Sequence, residues 1–154
     1  MLDTDFNILK ITRNNIKNLV SSCSLAELNT IPAGFNNNLI WNYGHIIVTQ
    51  QLLCYGLSGV EMYTDNELVT KYRKGSRPSD VSPVSQSELD QLNDLLTLTT
   101  ENIELDYKAG KFKEYKEYTT SYNMTLKSTE DAIRFNNVHE SMHLGQCILI
   151  KKFI

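Results

Sequence analysis

The sequence predicts an all-α fold, a four-helix bundle with a long crossover between helices 2 and 3. Four segments repeat apolar residues at steps of three, four or seven, the spacing of amphipathic helices. The three prolines, at 32, 78 and 83, all fall outside those segments. A polar stretch over 61–83 separates the second segment from the third, as a bundle with one long connection requires. The 154 residues, 41% hydrophobic and 21% charged, suit a single domain over 1–154 with a substantial core.

The first helix is expected from about Asp5 to Ser22, with Phe6, Leu9, Ile16, Val20 and Cys23 along its apolar side. Thr30-Ile31-Pro32-Ala33-Gly34 breaks the pattern, because proline and glycine stop helical continuation. Asn37 or Asn38 can cap the second helix, which reaches about Leu57 and stops before Gly59. Its stripe of Trp41, Val48, Leu52 and Tyr55 also includes His45. Residues 61–83 form the crossover, with room for one short helix near Thr64 to Arg73. Ser85 or Ser87 starts the third helix, which carries Leu89, Leu92, Leu96, Thr99 and Ile103 and ends near Ala109-Gly110. Residues 111–127 are rich in tyrosine and lysine and suit a short extended piece. Ser128, with Asp131 three residues on, marks the start of a fourth helix that runs to the chain end.

Bulk properties exclude several classes. A net charge of −3 gives no long-range attraction to phosphate backbones, so nucleic acid is not an expected partner. The start, MLDTDFNILK, is acidic and polar where a secretory leader needs a basic and then apolar run. No apolar stretch nears the roughly 20 residues of a membrane span. A cytoplasmic, non-membrane protein is therefore expected. Cys23, Cys54 and Cys147 are odd in number and unpaired in spacing, which suits reduced and mostly buried thiols.

The chemistry concentrates in the only three histidines, His45, His139 and His143. Residues four apart on a helix stack on one face, so the imidazoles of His139 and His143 can reach one ion. Such a pair also arises by chance on solvated helices. His45 sits in an apolar stripe, where its ring nitrogens need partners: a metal, or a neighbour in the core. Together the three make a three-nitrogen site with open positions, the pattern of reactive metal centres. His139-Glu140-Ser141-Met142-His143 also matches the His-Glu-x-x-His of zinc proteases, with Glu140 as base. Only 11 residues follow His143, however, and they contain no histidine, aspartate or glutamate. A third ligand must come from upstream, which argues against a protease. Glu140 lies about 100° around the helix from His139, which suits a supporting or a surface position equally.

The segment from Asn37 to His45 resembles the start of the second helix of DinB-like proteins, in which a tryptophan precedes the first metal histidine by four. His139-Glu140-Ser141-Met142-His143-Leu144-Gly145-Gln146 is similar to that family's last-helix motif. The stretches 71–78 and 128–133 also resemble it in order and spacing. The resemblance implies a four-helix bundle, a homodimer, and one divalent ion, zinc or nickel, held by His45, His139 and His143. It also implies transfer of a low-molecular-weight thiol, such as bacillithiol or mycothiol, onto small-molecule electrophiles.

Around the histidines, Gln146 follows His143 by three and can orient a ligand or a water, or be satisfied within the bundle. Asn42 and Asn136 each precede a histidine by three and can hold an imidazole or sit at an interface. Gly145 suits close helix packing. Cys147 is better read as core than as a thiolate ligand, and Cys54 falls on roughly the opposite face from His45. Lys71, Arg73, Lys74 and Arg77 suit a solvated loop, with attraction of an anionic thiol or acidic substrate as the alternative. The leading functional reading is a metal-dependent thiol transferase. The alternatives are a metal-dependent hydrolase assisted by Glu140 or Gln146, and a non-catalytic stress-response or binding module with a structural metal.

Overall fold

The computed structural model describes residues 2–154; Met1, the first residue of the MLDTDFNILK stretch, lies outside them. Four long helices form the body. Helix α1 spans Asp3–Ser21, α3 spans Leu39–Gln50, α5 spans Gln86–Lys108 and α6 spans Thr129–Ile150. Helix α6 packs on α1 and α3, and α5 packs on the same two, which closes the bundle. No helix among the described residues is long and apolar enough to cross a membrane.

Local chemistry sets the helix starts. Asn38 caps α3 by accepting from the Trp41 amide at 2.9 Å, and the Ser85 side chain caps α5. Ser128 Oγ accepts from the Asp131 amide at 3.1 Å, while the Asp131 carboxylate accepts from Lys127 N at 3.1 Å. The reciprocal bond of a capping box is thus shifted by one residue, to the amide before the cap. Helix α5 stops at Gly110, whose φ of +68° suits a residue without a Cβ.

Two smaller helices fill the connections. Helix α2, Leu25–Asn29, is an addition to the expected elements; Ser24 and Glu27 form a full capping box there and Leu28 is buried. Helix α4, Asn66–Tyr72, lies where the crossover has room for one, capped by Asp65. Residues 111–127 hold a minimal antiparallel hairpin, β1 (Tyr118–Thr119) with β2 (Thr125–Leu126).

The second long helix is not uniform. After Gln50 it widens into a π-helical turn over Gln51–Tyr55, then tightens into a 3₁₀ turn over Gly56–Ser58. A π turn adds one residue and rotates the side chains beyond it around the axis. Leu52, which the apolar stripe places inside, is half-buried and lines a cavity, while Leu53 is buried. Cys54 and Cys147 are buried, Cys23 is partly so, and all three are free thiols.

The apolar core falls into two clusters. One gathers Ile16, Leu28, Leu39, Ile46, Ile47, Leu92, Leu96 and Ile150. The other gathers Phe6, Leu9, Leu53, Tyr55, Ile103, Leu126 and Ile133. Between them along the chain, each long helix contributes a buried polar residue: Arg13 from α1, Gln50 from α3, Thr99 from α5, Asn136 and Glu140 from α6. Arg13 Nε lies 3.0 and 3.1 Å from the two Glu140 oxygens, and Nη2 lies 2.7 Å from Oε1. Arg13 Nη1 donates to Thr99 Oγ1 at 2.8 Å and Thr100 Oγ1 at 3.1 Å. Gln50 Nε2 donates to the Thr99 carbonyl at 3.1 Å. A hydrogen-bonded layer therefore crosses the whole bundle.

Candidate metal centre

Helices α3 and α6 bring the three histidines together. His139 Nε2 lies 3.2 Å from His45 Nε2 and 3.1 Å from His143 Nε2. The far nitrogens explain why the rings face this way. His45 Nδ1 meets the Tyr72 carbonyl at 2.6 Å. A carbonyl only accepts, so Nδ1 carries the proton and Nε2 keeps its lone pair. His143 Nδ1 donates in the same way to Asn42 Oδ1 at 2.7 Å. The Asn42 amide is held in that orientation, since its nitrogen donates to the Asn38 carbonyl at 2.7 Å. Two rings are thus fixed as Nε2 acceptors, as metal-binding histidines require.

Three inward nitrogens at this spacing fit one ion. Bonds of about 2.0–2.1 Å at a tetrahedral angle place two nitrogens roughly 3.3 Å apart. The protonation states fit as well. Burial, then repulsion from the other two rings, pushes His139 down to about 3. Burial, then His45, pushes His143 down to about 4. Burial also lowers His45, against the pull of the Tyr72 carbonyl. All three are neutral at pH 7 and available as ligands. His139 Nδ1 is buried without a hydrogen-bond partner. The cluster is compatible with metal binding.

Packing holds His45 on two sides. Trp41 stacks on its ring with centroids 4.5 Å apart and planes 13° apart. Gly44 lets the Tyr72 ring lie directly on α3, because a Cβ there would come within 2.5 Å of that ring. This close approach brings the Tyr72 carbonyl to the imidazole.

The three histidines line a cavity of roughly 640 Å³. Its walls include Leu52, Leu53, Phe135 and Met142, with Thr120, Ser121 and Tyr122 from the hairpin region and Lys74 from the crossover. Thr49, one turn after His45, places its hydroxyl 3.3 Å from His45 Nε2. Leu52, Leu53 and Gly56, within and just after the π turn, line this space as well. Thr49 and the π turn lie outside the residues that the sequence reading singles out. The i, i+4 step from His45 signals Thr49, whereas nothing in the residue pattern signals the π turn.

The other candidates lie elsewhere. Glu140 points away from the histidines: it is fully buried, bound to Arg13, and accepts from Asn136 Nδ2 at 2.8 Å. The 100° offset from His139 sends it to the bundle interior, where it cannot serve as a base at the cavity. Asn136 accordingly serves Glu140 and not an imidazole. Gln146 is exposed and lines no part of the cavity, so it neither orients a ligand there nor sits inside the bundle. Gly145 is exposed too, with open space where a Cβ would stand, and makes no close helix packing. Burial pushes the Cys147 thiol up to about 12, which suits a core residue and not a thiolate ligand.

The family model described as the DinB superfamily matches residues 8–147. Among solved structures, a conserved protein from Enterococcus faecalis is similar over 100% of this chain and 96% of its own, with a TM-score of 0.75 and 13% identity. That likeness concerns the fold. No curated protein matches.

Proposed function

We propose, from the premise that this chain belongs to the DinB superfamily, that it is a metal-dependent transferase of low-molecular-weight thiols. In this reading His45, His139 and His143 hold one divalent ion, zinc or nickel, both of which suit imidazole. The observation that carries the reading is the convergence of three Nε2 atoms in the wall of a largely apolar cavity. When bound, the ion supplies Lewis acidity that lowers the pKa of a substrate thiol. The chain's own groups do the remainder. Asn42 and the Tyr72 carbonyl orient two of the rings, and the Thr49 hydroxyl stands ready to hydrogen-bond an anionic sulfur. Leu52, Leu53, Phe135 and Met142 exclude water from the electrophile. The three free thiols suit a reducing cytoplasm.

The hydrolase alternative lacks a base, since no carboxylate lines the cavity and Glu140 and Gln146 are placed elsewhere. A homodimer, implied by the family resemblance, would cover Val138, Ile148 and Leu149, which α6 leaves exposed. Sedimentation velocity tests it, and a monomer at micromolar concentration refutes it. The activity is tested with purified, metallated protein, bacillithiol or glutathione, and the electrophile monochlorobimane. Turnover that needs both metal and thiol is expected. No turnover with any thiol, together with a large fall in Tm on chelation, refutes the enzyme and favours a structural ion.

A further inference from the structure

We infer that Lys74 selects substrates that carry a second anionic group besides the sulfur; the inference rests on the thiol-transferase reading and specifies its substrate class. The cavity is unbalanced in charge. Its lining contains three neutral imidazoles and Lys74 but no aspartate or glutamate. A divalent ion on neutral ligands keeps its full charge, so nothing in this lining compensates either the ion or the lysine; Glu67 and Asp80 border a neighbouring depression instead. A substrate that brings a second anionic group besides its sulfur would compensate both.

Lys74 is also held in place for this task. Two residues before it, the Tyr72 carbonyl accepts from His45 Nδ1. Two residues after it, Ser76 Oγ accepts from Trp41 Nε1 at 3.0 Å, and Trp41 is the residue stacked on His45. Ser76 Oγ also lies within hydrogen-bond distance of the carbonyls of Lys71 and Arg73, at 2.7 and 2.8 Å. The loop that carries Lys74 is therefore fastened on both sides to the walls of the histidine site.

The neighbouring charges divide into structural and free. Lys71 pairs with Glu88 at 2.6 Å and anchors α4 to α5. Lys74, Arg73 and Arg77 make no ion pair among the described residues, whose ion pairs involve other side chains. All three border a second, open depression, which Lys74 shares with the histidine cavity. Leu52, Leu53, Leu57 and Phe135 give the histidine cavity an apolar wall for the body of such a substrate.

The test is calorimetry on zinc-loaded protein with ω-mercaptocarboxylic acids of increasing chain length and the mercapto-alcohols of equal length. At the optimal length the acid should bind at least about threefold more tightly than the alcohol, the scale of a partly exposed ion pair. Lys74→Met should remove that advantage while leaving the alcohol's Kd unchanged, and Lys74→Arg should keep it. Equal binding of acid and alcohol at every length overturns the inference, as does an acid preference that survives Lys74→Met. If zinc binds but no thiol of either series does, the thiol-transferase reading falls, and this inference falls with it.

Discussion

Replacing Glu140 by glutamine removes a charge and almost no volume, so it isolates what the carboxylate does for the bundle. Arg13 and Glu140 are 1% and 0% exposed, and three of the guanidinium's bonds end on that carboxylate. In Glu140→Gln the guanidinium keeps only neutral acceptors. Removing one partner of a buried pair costs about 3–5 kcal/mol. A chain of this length is stable by roughly 8–23 kcal/mol, at roughly 0.05–0.15 kcal/mol per residue, so the variant should fold but be weakened. With a urea dependence of about 2 kcal/mol per molar, the unfolding midpoint should fall by roughly 2 M. Arg13→Met added to Glu140→Gln removes the stranded cation and should recover at least half of the loss. Equilibrium urea unfolding of the metal-free protein, followed by circular dichroism, measures both. A midpoint for Glu140→Gln within about 0.5 M of the parent refutes the reasoning. So does a double variant whose loss equals the sum of the two single ones, because a coupled pair is not additive. A stable Glu140→Gln protein that lost all turnover would return that residue to a chemical role.

Three further outcomes concern the site. Asn42→Ala leaves His143 Nδ1 without its acceptor and should weaken metal binding by roughly 10–100-fold, read by competition with a chromophoric chelator; unchanged affinity would show that Asn42 does not set the ring. Gly44→Ala gains about 1 kcal/mol of helix propensity but drives a methyl into the Tyr72 ring. It should therefore lower both Tm and metal affinity; a more stable variant with unaltered affinity would mean that the ring moves freely. Acid should destabilise the metal-free protein. The folded values of His139 and His143, about 3 and about 4, lie below the unfolded value near 6.5, so the unfolded chain binds protons that the folded one refuses. Their contribution is complete above about pH 6.5 and is lost as pH falls toward 4, at about 2.5 kcal/mol per pH unit near pH 5. A urea midpoint that is flat from pH 7 to 5 would show that these rings are not buried neutral.

Much of the bundle was legible because helix periodicity and end signals are local. Asn38, Ser85, Ser128 and Gly110 mark ends where the structure has them. The histidine cluster was legible because His139 and His143 share a face by spacing alone and His45 interrupts an apolar stripe. Arg13 was open to the same argument: it falls between Leu9 and Ile16, at steps of four and three, and a charge on a buried stripe must have a partner. Which partner it meets depends on the packing of distant helices, so spacing alone leaves Glu140 a candidate at the metal site when it in fact faces Arg13. The π turn was illegible because it changes the helix repeat without changing residue type. The place of Lys74 was equally hidden. It rests on a carbonyl and a serine hydroxyl meeting α3, which no spacing within the crossover encodes.

The polar layer across the bundle works like a dowel through stacked plates. Apolar side chains tolerate a helix sliding by part of a turn, but Arg13, Thr99 and Glu140 satisfy one another at a single axial offset of α1, α5 and α6. Gln50 joins α3 to the same layer through the Thr99 carbonyl, and Glu140 directly follows His139, so the layer also fixes the height of that imidazole relative to His45. An ion arriving at the three rings would then find their spacing already set, and would spend little of its binding energy on drawing helices together.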